Sequence, residues 1–127
     1  MKNRTSYSNR IANLHKVCVK NGIEPILMTQ PYLFEVGADP VTGTDLTKYK
    51  FSDNRNGELV WKQLEEYNNA FRKYYTDSNL FLVDLANELP KSNEYFYDEM
   101  HYTNAGSIRI GQIVARAFTD RRIKNQR

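Results

Sequence analysis

Apolar positions recur at helical spacing near the start of the chain, where Tyr7, Ile11, Leu14, Val17 and Cys18 are three, four and seven apart. They predict an amphipathic helix over about residues 5–21, stopped by Asn21 and Gly22. His15 sits beside that face and reads as a packed or surface histidine. A short apolar run follows, Ile26, Leu27 and Met28 between Pro25 and Pro31. It predicts a buried strand of a parallel sheet, with Thr29, Gln30 and Pro31 turning out at its carboxyl end. Periodicity then disappears over residues 32–57, which are interrupted by Gly37, Pro40, Gly43, Asp45, Asp53, Asn54, Asn56 and Gly57. A connection that long is either functional or mobile, or else a tolerated surface insertion.

Helical spacing returns with Val60, Leu64, Tyr67, Phe71 and Tyr74, predicting a helix over about residues 58–75. Asp77, Ser78 and Asn79 form a turn before a second buried strand at residues 80–85. Leu89 to Asn93 reads as loop. A final helix, to about residue 119, carries Ile108, Ile110, Ile113, Val114, Ala117 and Phe118, with Thr103 as its N-cap. Helices alternating with strands define an α/β fold with a parallel sheet, in one domain spanning residues 1–127. In such sheets ligands bind outside the carboxyl ends of the strands. Two strands are few for this architecture, and helices on both faces would leave apolar area bare.

Composition narrows the partners. With 40% hydrophobic and 26% charged residues, no segment reaches the length of a membrane span. A net charge of +3 does not argue for nucleic acid. Arg116, Arg121, Arg122, Lys124 and Arg127 gather near the C-terminus and read as a solvated, partly frayed tail. Residues 1–7 are basic but lead into no apolar signal core, so the chain as it stands reads as cytoplasmic, although a parent protein could be exported. Cys18 is the single cysteine and is expected to be a buried free thiol. His15 and His101 are the only imidazoles, and no ligand spacing links them, so neither a metal nor another cofactor is expected.

The chemistry concentrates in Phe96-Tyr97-Asp98-Glu99-Met100-His101-Tyr102-Thr103-Asn104-Ala105-Gly106. An acid stands three residues before a histidine, on a loop held by the helix behind it. A carboxylate beside an imidazole is the orienter and base of a nucleophilic triad.

Asp98-Glu99-Met100-His101, backed by Thr103-Asn104-Ala105-Gly106, resembles the terminal D-x-x-H block of SGNH (GDSL-type) hydrolases, an esterase and lipase superfamily. Pro25 to Pro31 resembles the strand before that family's last long connection. Tyr67-Asn68-Asn69-Ala70-Phe71-Arg72 resembles its Y-N-x-x-L-R helix, and Leu82-Val83-Asp84-Leu85 its last strand. The likeness implies the C-terminal part of a flavodoxin-like three-layer α/β/α sandwich, lacking its N-terminal strands. It implies His101 as general base and Asp98 as its orienter, with Thr29, Gln30 and Pro31 as candidates to line the substrate cleft. The implied substrate is an ester of a lipid, a small alcohol or an acetylated carbohydrate.

The family's G-D-S block, which carries the nucleophile, and its G-x-N-D block have no counterpart here. The serines are Ser6, Ser8, Ser52, Ser78, Ser92 and Ser107, and none follows a buried strand in a Gly-Asp context. The chain is therefore expected to be inactive alone. It reads as a truncated hydrolase, as the C-terminal chain of a split enzyme completed by a partner polypeptide, or as a binding domain reusing the fold. Self-association or a complementing N-terminal chain would cover its bare apolar surface.

Overall fold

The computed structural model describes residues 2–51, 54–78 and 80–124. Ser52, Asp53, Asn79 and Arg127 lie outside them. The elements are α1 (Lys2–Lys20), β1 (Ile26–Met28), α2 (Gly57–Ser78), β2 (Phe81–Val83), a one-turn α3 (Leu85–Glu88) and α4 (Asn104–Lys124). The fold is mixed α/β. The strands pair in parallel, with Ile26 opposite Phe81, Leu27 opposite Leu82 and Met28 opposite Val83.

Each boundary has a local cause. Helix α1 ends in a Schellman motif: the Ile23 amide donates to Cys18 and the Gly22 amide to Val19, with Gly22 at φ 69°. Helix α2 starts where the Asn56 side chain accepts the Leu59 amide. At the head of α4 the Thr103 hydroxyl accepts the Gly106 amide and donates to the Glu94 carbonyl, the capping role expected of it.

Phe34, Val83, Leu89, Phe96 and Ile113 are the innermost apolar residues. Ile26, Phe81, Ile110, Val114 and Ala117 pack around them, so one face of the strands is covered by α4. Strand alternation turns Leu27 and Leu82 to the other face. Helix α1 packs on α2 through Tyr7, whose ring meets Tyr67 and Phe71 edge-on. His15 donates to or accepts from the Tyr74 hydroxyl at 2.9 Å, a packed histidine.

The apolar stripe of α1 is only partly covered. Ile11 is buried, whereas Leu14 and Val17 are 61% and 58% exposed. Met28 on β1 and Ile108 on α4 are exposed too. Cys18 is half-buried rather than buried, for the same reason. Of the C-terminal cations, Arg116 and Arg121 depart from the expected solvated tail, whereas Arg122 is exposed as expected. Arg116 pairs with Glu88, and Arg121 pairs with Glu24 while lying 4.7 Å over the Phe81 ring. These contacts carry α4 past residue 119.

Two polar clamps fix the carboxyl ends of the strands to α2. Asn68 is buried, and its side chain both accepts the Gln30 amide at 2.8 Å and donates to the Gln30 carbonyl at 2.9 Å. Arg72 grips Asp84 through two nitrogens at 2.8 and 2.9 Å, and also pairs with Glu65. Burial alone would raise the Asp84 carboxyl, but the Arg72 fork and the Thr29 hydroxyl outweigh it and hold it below the usual carboxylate range.

Candidate active site

The acid–histidine segment is a tight loop closed by backbone. Phe96 and Tyr102 form an antiparallel bridge, and the Tyr97 amide donates to the His101 carbonyl at 3.1 Å. Phe96 is fully buried against Tyr102 and anchors the loop in the core. The Leu33 amide donates to the Glu99 carbonyl at 2.9 Å, which ties the loop to the segment leaving β1. The loop thus stands at the carboxyl edge of the two parallel strands, where an α/β sheet places its ligands.

Asp98 organises the loop's tip. Its Oδ1 accepts the amides of Met100 at 2.9 Å and His101 at 2.8 Å. Its Oδ2 meets the Nδ1 of His101 at 2.7 Å. The two amides, with the imidazole, lower the Asp98 carboxyl from 3.8 to about 2. The ionised carboxylate can only accept, so in the neutral imidazole Nδ1 carries the proton and Nε2 is left as the unprotonated nitrogen. The Tyr97 ring stacks on the imidazole at 5.6 Å and 12°, limiting its rotation. The His101 side chain is 60% exposed, open to a substrate or a nucleophile.

The depressed carboxyl has a sign. Stabilisation of the loop by ionised Asp98 is complete above its ordinary value of 3.8 and is lost as pH falls through about 2. The amide resonances of Met100 and His101 should therefore titrate together with a midpoint near 2. A midpoint at the ordinary value of 3.8 would mean that the turn does not hold in solution.

Thr29, Gln30 and Pro31 take different positions. Thr29 is buried, donating to Asp84 at 2.7 Å and accepting the Ala86 amide at 2.9 Å. Pro31 is buried as well. Gln30 is exposed; it donates to the Tyr102 hydroxyl at 3.0 Å and lines a cavity of about 70 Å³ with Lys91 and Asn68. Lys91 donates to the Ala86 carbonyl at 2.6 Å, and burial lowers its ammonium. Asn68 had a sequence signal, since an asparagine among the apolar positions Leu64, Tyr67 and Phe71 marks a buried polar contact; its partner and the Arg72–Asp84 pair had none.

Residues 32–51 and 54–57 form a wall beside the acid–histidine loop. Asp39 is buried, and its carboxylate accepts the amides of Val41, Thr42 and Asn93 and the Thr42 hydroxyl. Burial would raise that carboxyl, but these four donors keep it below the usual range. The Asn93 contact joins the wall to the segment leading into Phe96. Phe34, Tyr49 and Phe51 form an aromatic cluster beneath it, with ring centroids 5.2 to 5.4 Å apart. The wall and the acid–histidine loop enclose a cavity of about 250 Å³ bordered by Tyr97 and Asp98.

Ser92 is buried, with its hydroxyl accepting the Glu94 amide, and Ser107 lies in the first turn of α4. Ser6 and Ser8 lie in α1, and Ser78 ends α2. Among the described residues no helix is long and apolar enough to cross a membrane, and no group of three or more His, Cys, Asp or Glu side chains is placed to hold a metal. No protein-family model, curated protein or solved structure matches the chain.

Proposed function

We propose that this chain is the base-bearing part of an SGNH-type ester hydrolase. The observation that carries the reading is the Asp98–His101 pair, joined at 2.7 Å through Nδ1, with the His101 side chain 60% exposed. In this role Nε2 takes the proton from a serine hydroxyl as its oxygen attacks the ester carbonyl. The imidazolium formed is stabilised by Asp98 and returns the proton to the leaving alkoxide. Water, deprotonated by the same nitrogen, then releases the acid from the acyl-serine.

The serine and the oxyanion donors come from a strand and loops that residues 1–127 do not supply. The exposed Met28 on β1 supports a missing neighbour, because a strand added beside β1 would cover apolar surface there. That addition would extend the pair toward the flavodoxin-like three-layer sandwich. That Asp98 and His101 meet at an exposed loop, rather than lying apart or turned inward, favours this reading over a purely binding domain.

The test is hydrolysis of a short-chain nitrophenyl ester by this chain, alone and with a polypeptide bearing a Gly-Asp-Ser strand encoded beside it. The chain alone should show no turnover above background. The mixture should show turnover that His101→Ala abolishes. Steady turnover by the chain alone that disappears with His101→Ala would contradict the need for an outside nucleophile. Turnover by the mixture that survives His101→Ala would contradict the base.

A further inference from the structure

The cavity of about 70 Å³ at Gln30 lies at the carboxyl edge of the strands, and His101 is not in its lining. Gln30 and Tyr32 enter it from the segment after β1, Ala86 and Asn87 from the segment after β2, and Trp61 and Leu64 from α2. Its charged side chains are Lys91, Glu35 and Glu65. Glu65 is committed, because it pairs with Arg72 and accepts the Asn68 side-chain amide at 3.2 Å. Lys91 and Glu35 keep capacity to spare. The Lys91 ammonium donates once, to the Ala86 carbonyl, which leaves two N–H groups unused. Glu35 exerts the strongest charge attraction on Lys91, yet no hydrogen bond or ion pair joins the two. No other described residue pairs with Glu35 either.

We infer that this cavity binds a small zwitterion, an α-amino acid of glycine or alanine size, with its carboxylate on Lys91 and its ammonium on Glu35. The site is separate from the acid–histidine pair and stands whether or not the hydrolase reading holds.

Charge selects the ligand. A cation and an anion that border one space without touching are matched by a molecule carrying both charges. Burial lowers the Lys91 ammonium against the pull of Glu35, Glu65 and Asp84, so the group is short of solvation. A carboxylate on its spare N–H groups would replace the water that burial removes. A simple anion would serve Lys91 but set a second negative charge beside Glu35. A simple cation would serve Glu35 but be repelled by Lys91. The zwitterion serves both, and the rings of Trp61 and Tyr32 offer its ammonium an aromatic face.

Size selects the side chain. A water needs about 10–15 Å³ of such space, so the cavity admits roughly five to seven non-hydrogen atoms. Glycine and alanine fall in that range, whereas leucine exceeds it. The lining is also fixed in advance. Asn68 clamps the Gln30 backbone, and Arg72 occupies both Glu65 and Asp84, which leaves Glu35 as the carboxylate open to a ligand. Preorganisation of this kind lowers the cost of ordering on binding.

The experiment is titration of the full chain with glycine and L-alanine, read by the fluorescence of Trp61, the single tryptophan, and by amide shifts. Acetate, methylammonium and acetamide are the half-ligands and the neutral analogue, and leucine tests size. Glycine or alanine should saturate in the millimolar range and shift the amides of Ala86 and Asn87. Glu35→Gln and Lys91→Met should each weaken binding on the order of tenfold or more. Glu35→Gln keeps the side chain's shape and the Lys91–Ala86 contact, so it decides the matter even where Lys91→Met fails to fold.

Acetate, methylammonium or acetamide binding as tightly as the amino acids would overturn the inference, as would equal binding of leucine. Amino-acid binding indifferent to Glu35→Gln, or no binding at all, would do the same. His101→Gln should leave the titration unchanged; loss of binding there would place the ligand at the acid–histidine pair and overturn the separate site.

Discussion

Asp98→Asn is expected to cut ester hydrolysis by the completed enzyme on the order of ten-thousand-fold, the scale measured when the aspartate of a serine-protease triad is changed to asparagine. The reason lies in which ring nitrogen holds the proton. Asp98 is ionised far below neutral pH and offers Nδ1 only an acceptor. An asparagine can turn its NH₂ toward Nδ1, which then accepts, and the proton moves to Nε2. The ring would present a proton where a base is needed. The loop should survive this change, because the asparagine carbonyl can still accept the amides of Met100 and His101. A completed enzyme whose Asp98→Asn form lost only a few-fold in kcat would place the base elsewhere.

Gly106→Ala is expected to be the most damaging single methyl in this region. A Cβ built at Gly106 falls 2.1 Å from the Tyr95 carbonyl oxygen and 3.2 Å from the Tyr102 Cβ. That oxygen is backbone, and it already accepts the Thr103 amide at 3.0 Å, so it cannot swing aside. Either α4 retreats or the loop holding Asp98 and His101 opens. A loss of about 3 kcal/mol in unfolding free energy, the upper end of the usual range for overpacking, is the expected scale. Gly111→Ala, in the same helix with nothing within 4 Å of its built Cβ, should be neutral or stabilising by up to about 1 kcal/mol. Denaturant midpoints for the two variants check the contrast, and equal midpoints would deny the close approach at Gly106.

The dyad was readable in the sequence because its physics is local. Asp98 caps the amides two and three residues ahead, and that turn delivers its second oxygen to the ring of His101. Thr103 was readable in the same way. Both strands and three of the helices follow from periodicity, whereas α3 was missed because four residues hold barely one helical turn. The wall at residues 32–51 and 54–57 could not be read. Its order depends on Asp39 reaching Asn93, 54 positions away, and no periodic pattern announces such a contact. The partners in the strand clamps were hidden for a similar reason. Asn68 and Arg72 lie on a helix, and their partners Gln30 and Asp84 on two separate strand ends.

The partial cover of α1 shows where pattern and structure part. Tyr7, Ile11, Leu14 and Val17 form one stripe by spacing, yet only its first half meets α2. Periodicity says which face seeks burial; it does not say whether a neighbour is there to supply it.

The most direct measurement is the tautomer of His101, read from long-range proton–nitrogen correlations of its imidazole at neutral pH. The structure requires a protonated Nδ1 and a bare Nε2, reversing to a protonated Nε2 in Asp98→Asn. A ring protonated at Nε2 in the unmodified chain, or one that ignores Asp98→Asn, would contradict the claim that Asp98 orients His101 as a base.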